Sequence, residues 1–135
     1  MDAATRDFVR QRAADRCEYC HMPQQATPFI PFHVEHIIAK QHVNEGHDDP
    51  SGLAYACDRC NAFKGPNLSS VDPRTGERVN VFNPRTDDWS DNFAISHGTI
   101  IGLTPIGRAT ARLLNMNDSR RVELRLRWLD EGGSL

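Results

Sequence analysis

The sequence predicts an α+β fold: a strand, loop, strand and helix unit tied by four cysteines and carrying a C-terminal hairpin and helical elaboration. Three observations predict it. The cysteines form two C-x-x-C pairs, Cys17-Glu18-Tyr19-Cys20 and Cys57-Asp58-Arg59-Cys60, with 36 residues between them and no cysteine left over. Short runs rich in β-branched and aromatic residues precede the second pair, and a helix-compatible run follows it and stops at Gly65-Pro66. Turn signals and two arginine-rich helical stretches occupy the rest. At 135 residues the chain has the size of one ordinary domain. Residues 1–68 read as the stapled core with a leading helix, and 69–135 as an elaboration packed on that core.

Each element has its own signal. Residues 2–15 begin with the acidic Asp2 and place Phe8, Val9 and Ala13 near one side, predicting a helix that delivers the first cysteine pair. Residues 29–38, FIPFHVEHII, read as a strand or hairpin arm, with Pro31 limiting how early pairing can begin. The polar stretch 42–52 reads as a loop, Leu53 to Ala56 as a short strand, and Asp58 to Lys64 as a helix. Asp72-Pro73-Arg74-Thr75-Gly76 is a turn signal for a hairpin ending near Val81-Phe82. Trp89, Phe93, Ile95 and the run 99–103 suggest further short strands or packed loops. Two helices close the chain, one from Pro105 to Leu114 and one capped by Asp118. In the last, Val122, Leu126 and Leu129 recur at helical spacing, which predicts an apolar face with arginines on the others.

The formal net charge of -2 excludes a protein that coats nucleic acid through bulk positive charge. Local clusters matter more: between Pro105 and Trp128, six arginines face only Asp118 and Glu123. Arg108, Arg112, Arg120 and Arg121 are the candidate nucleic-acid contacts there. A solvated helical face is the plainer account of the same charges. No stretch approaches the roughly 20 apolar residues of a membrane span, and no leader pattern is present, so a soluble cytoplasmic protein is expected.

Cysteine chemistry then points to a metal. A two-residue spacer sets two thiolates on one ion, and two such turns complete the tetrahedral sulfur cage that zinc favours. Disulfides are the competing account, and a cytoplasmic chain gives them no oxidising compartment. With Cys17, Cys20, Cys57 and Cys60 as ligands the zinc has no open position, so its role is structural. Such an ion contributes on the order of 10–16 kcal/mol to folding of a small module.

The run His33-Val34-Glu35-His36-Ile37 followed by Cys57-Asp58-Arg59-Cys60-Asn61-Ala62-Phe63-Lys64-Gly65 resembles the zinc-containing HNH endonucleases across residues 17–65. The resemblance implies a ββα-metal fold that hydrolyses phosphodiester bonds of DNA. It implies His36 as general base, Glu35 and Asn61 as ligands of a catalytic magnesium or manganese ion, and Lys64 as the partner of a phosphate oxygen. The chemistry is coherent: neutral imidazole accepts a proton near physiological pH, and hard divalent ions prefer oxygen ligands. One objection stands, since adjacent Glu35 and His36 point to opposite faces of a regular strand. His33 either lines the site or packs, while His42 and His47 are expected in solvent or facing substrate.

One departure concerns position 52. HNH sequences usually carry an asparagine just before the Leu-Ala segment, steadying the catalytic histidine by bonding backbone near it. Here Gly52 stands in that place, with Asn44 or Ser51 as substitutes, and Gly52→Asn is expected to raise cleavage.

Two other functions compete. His33-x-Glu35 with Cys57-x-x-Cys60 superficially matches a zinc nucleobase deaminase, but leaves Cys17, Cys20, His36, Asn61 and Lys64 without roles. A non-catalytic zinc module binding nucleic acid through the C-terminal arginines is the stronger rival. A homodimer would supply two sites for two strands, although no heptad pattern supports one.

Overall fold

The computed structural model describes residues 1–42 and 48–135; Asn44 and His47 lie outside the described residues. Helix α1 (Ala3–Arg12) starts where Asp2 accepts a hydrogen bond from the Thr5 amide at 2.7 Å, the side-chain cap that an acidic start supplies. Its buried Val9 packs with Leu53 and Tyr55, which sets the helix against the central hairpin. That hairpin pairs β1 (His33–His36) with β2 (Leu53–Ala56) antiparallel, with His33 opposite Ala56 and His36 opposite Leu53. Helix α2 (Asp58–Lys64) follows directly and ends at Gly65, whose positive φ of 49° suits a residue without a Cβ. The order is therefore β, β, α.

The predicted strand over 29–38 is shorter than expected. Pro31 has no amide proton, and the segment before β1 is held by Gln24 instead. The Gln24 side chain accepts from the Phe32 amide at 2.7 Å and donates to the Ile30 carbonyl at 2.8 Å. These bonds replace a ladder. Phe29 is left 96% exposed.

Beyond α2, β3 (Ser69–Val71) pairs β4 (Arg78–Asn80), and β5 (Phe93–Ser96) pairs β6 (Thr99–Gly102) after the single-turn helix α3 (Trp89–Asn92). Helices α4 (Pro105–Leu113) and α5 (Ser119–Asp130) begin at Thr104 and Asp118, whose side chains accept from the Gly107 and Arg120 amides. Helix α4 lies directly on the β5–β6 hairpin and α3. A Cβ on Gly107 would come within 2.0 Å of the Asn92 carbonyl oxygen, so no larger residue fits.

One apolar cluster joins the two segments of the chain. It runs from Cys17, Tyr19 and Cys20 through Ala54, Ala56 and Cys60 to Phe82, Phe93, Ile100, Leu114 and Met116. Polar ties cross the same boundary: Trp89 Nε1 donates to the Tyr19 carbonyl at 2.8 Å, and Arg85 pairs with Glu18. Among the described residues, no helix is long and apolar enough to cross a membrane.

Candidate functional site

The four cysteines meet at the junction of the 17–20 turn and the start of α2. Their Sγ atoms all lie within 4.8 Å of one another, with Cys20 and Cys57 at 3.7 Å. A tetrahedral ion at about 2.3 Å from each sulfur requires sulfurs about 3.8 Å apart, so the cluster fits zinc. All four are buried and none is in a disulfide. Cys57 Sγ also accepts from the Cys60 amide at 3.4 Å and so caps α2. The four can therefore hold one ion and fix the hairpin to the helix.

On β1 the alternation of side chains governs everything else. Glu35 points inward, where its carboxylate accepts from the Tyr19 hydroxyl and, at 3.0 Å, from the Lys64 ammonium. Lys64 also donates to the Ile37 carbonyl at 2.9 Å and the His36 carbonyl at 3.3 Å. The two side chains are 2% and 6% exposed for Lys64 and Glu35 respectively. Burial lifts the Glu35 carboxyl above its ordinary range, and the charge of Lys64 and the hydroxyl of Tyr19 hold that rise down.

His36 points to the other face. Its Nε2 lies 2.9 Å from Asp48 Oδ1, with the histidine side chain 16% and the aspartate 39% exposed. A carboxylate only accepts, so in the neutral ring the proton sits on Nε2 and the lone pair on Nδ1. His36 lines an open cleft of about 400 Å³ with His33, Arg6 and Arg10. His33 Nε2 lies 3.3 Å from Asp58 Oδ1 at its edge. Arg10 is tied to Asp15 at 3.3 Å, and Arg6 is exposed.

Residues 17–66 match the family model described as HNH endonuclease. This segment is an HNH domain. No curated protein and no solved structure matches the chain. The match takes in the whole cysteine cage, β1, β2 and α2, and it ends before the C-terminal elaboration.

Within the HNH domain the expected site residues are not gathered at one point. Glu35 and Lys64 form a buried pair on one side of β1, and His36 lies with Asp48 on the other. The Asn61 side chain is half-buried on α2 and makes no hydrogen bond among the described residues. Glu35 as placed does not suit a divalent ion, because Lys64 already neutralises it and solvent does not reach it. Ser51 is committed too, its hydroxyl donating to Asp49 Oδ1 at 2.8 Å. His42 is exposed, as expected.

The C-terminal arginines divide sharply. Arg112 and Arg120 are exposed. Arg108 is half-withdrawn in a paired contact with Asp72, its Nη2 at 2.8 Å and Nε at 3.0 Å from the two carboxylate oxygens. Arg121 corrects the expectation of a nucleic-acid contact. It is buried, with one Nη 3.0 Å from Cys60 Sγ and the other 2.6 Å from the Leu114 carbonyl. Arg125 is buried on the same face of α5 while Leu126 and Leu129 are exposed, so the buried face is not the one the spacing suggested, although Arg120 and Arg127 stay exposed as expected. Arg6, Arg10 and Asp48 were not singled out from the sequence; α1 and the loop before β2 bring them to His36 from residues whose local pattern carries no motif.

Proposed function

We propose that the chain is a metal-dependent endonuclease that hydrolyses phosphodiester bonds of DNA, with His36 as the general base. The observation that carries this reading is His36 in an HNH domain, held by Asp48 at 2.9 Å and facing an open cleft that also contains Arg6 and Arg10. Asp48 orients the ring, His36 takes the proton of an attacking water, and Asp48 stabilises the imidazolium that results. Arg6, exposed on α1, meets the phosphate, the task expected of Lys64, which is occupied elsewhere, as Arg10 is by Asp15. The cysteine cage holds structural zinc. A magnesium or manganese ion, when bound, supplies charge to the phosphate and leaving group. Glu35, paired with Lys64, is not its ligand in this arrangement. Four buried thiols suit the reducing cytoplasm.

The test is incubation of the purified chain, with its zinc content measured, with plasmid and linear DNA in EDTA, magnesium or manganese. Cleavage that needs the added ion and is lost in His36→Ala supports the proposal. The closed Glu35–Lys64 pair favours one second reading, a non-catalytic zinc module that binds nucleic acid. Binding without cleavage under every ion, unaffected by His36→Ala, would establish that reading instead.

A further inference from the structure

Helix α5 buries two arginines one turn apart, Arg121 and Arg125, beside the cysteine cage. Neither forms an ion pair with a carboxylate among the described residues. Arg121 donates to the carbonyls of Leu114 and Asn115 at 2.6 and 3.1 Å, and its other Nη lies 3.0 Å from Cys60 Sγ and 3.7 Å from Cys57 Sγ. Arg125 donates to the carbonyls of Gly98 at 2.6 Å and Met116 at 2.5 Å and lies 3.3 Å from Asn117 Oδ1. Their surroundings are apolar: Met22, Ile100, Leu114 and Met116 belong to the same buried cluster.

A buried guanidinium without a counter-charge is strongly unfavourable, and carbonyl dipoles answer only its hydrogen-bonding needs. The counter-charge lies in the cage. One Zn²⁺ with four thiolates carries a net charge of -2, which is itself costly to bury, and two guanidinium groups balance it. We propose that Arg121 and Arg125 are the outer shell of the metal site: Arg121 bonds two thiolates directly, and Arg125 completes the charge balance behind it. The C-terminal helix is then part of the metal centre, although the HNH match ends at residue 66. The guanidinium groups offset the charge of the loaded cage and hold its sulfurs in place, so these are positioning residues for the metal and touch no substrate.

The inference rests on the cage holding zinc, and the experiment separates the two. The full-length zinc-loaded protein is challenged with EDTA, and zinc release is followed with a chromogenic zinc indicator. A cavity of about 210 Å³ bordered by Cys20, Cys57, Arg120 and Leu124 gives the chelator a route to the cage. Wild type without zinc would sink the reading of the cage. With zinc present, Arg121→Met is expected to release it about 10- to 100-fold faster, the usual scale for losing an outer-shell partner. Arg125→Met should give a smaller increase, and Arg127→Met, exposed on the same helix and away from that cavity, none. In the cobalt-substituted protein, Arg121→Met should also shift the sulfur-to-cobalt charge-transfer band. Release at the wild-type rate and an unshifted band would overturn the proposal; if Arg121→Met does not fold, Arg121→Gln, which keeps donors and loses charge, is held to the same criterion.

Discussion

Lys64→Met is the perturbation that separates the buried placement of Lys64 from the phosphate contact expected of it. The wild-type ammonium satisfies Glu35 Oε2 at 3.0 Å and two main-chain carbonyls, with almost no solvent access to either charged group. Removing one partner of a buried pair leaves the other charge uncompensated and costs about 3–5 kcal/mol. Methionine fills most of the volume, so little cavity cost is added. For a chain of this size a loss of about 4 kcal/mol corresponds to a drop in Tm of roughly 10–15 °C.

The assay is thermal and urea unfolding of zinc-loaded protein, run alongside Glu35→Leu and the double variant. Replacing both charged partners by apolar groups is nearly neutral where removing one is not, so the double variant should recover at least about half of the loss. The Tyr19 hydroxyl then lacks its acceptor and the His36 and Ile37 carbonyls lack the lysine donor, which is why recovery is partial. A Lys64→Met protein that melts within about 2 °C of wild type while losing DNA binding would refute the buried-pair argument and return Lys64 to the phosphate.

Two further outcomes follow from the same geometry. Arg6→Gln, at an exposed position of the cleft, should leave Tm unchanged, weaken duplex binding measured by fluorescence anisotropy, and reduce the slope of log affinity against log salt by about 1. Arg108 holds the Asp72 carboxyl well below the usual carboxylate range through a direct hydrogen bond, so Asp72 contributes stability above its unfolded pKa that is lost as pH falls through the lowered folded value. The Tm gap between wild type and Arg108→Met should accordingly be constant from pH 7 to about 4.5 and narrow below about pH 4, and a gap that widens on acidification would contradict the ion pair.

Where the sequence was legible, the signals were local. Asp2, Asp118 and Gly65 mark helix ends because a cap is made by a residue within one turn of what it caps. The cysteine cage was legible because the two-residue spacers are themselves the geometry. Elsewhere the deciding partner was remote. The strand over 29–38 shrank because Gln24 claims the main chain before β1, a bond that no periodicity announces. The face of α5 was misread because Arg121 and Arg125 look like solvent-facing charges until the cage they adjoin is given its negative charge. A pair of arginines at i and i+4 on one helix, in a chain whose four-thiolate cage carries a net negative charge, is the signal that could have found them. The separation of Glu35 from His36, by contrast, was already implied by the two-residue period of a strand.

Gly52 is the point at which the structure changes the expectation most. In the 3₁₀ turn Pro50–Gly52 its carbonyl accepts from the Ile37 amide at 2.9 Å, next to His36, while His36 itself is paired across the hairpin with Leu53. The main chain thus supplies the tie to the histidine strand that an asparagine side chain at this position would supply, and Asp48 holds the ring directly. A Cβ added at Gly52 meets nothing within 4 Å, so a side chain can start there without a clash at its first atom. Replacing glycine where the backbone is already compatible removes freedom mainly from the unfolded chain, worth about 0.4–1 kcal/mol. Gly52→Asn should therefore raise Tm by roughly 1–4 °C and change the cleavage rate less than about threefold, rather than relieve a catalytic defect. A gain of tenfold or more at unchanged Tm would show that the carbonyl of Gly52 does not hold His36 in its working position.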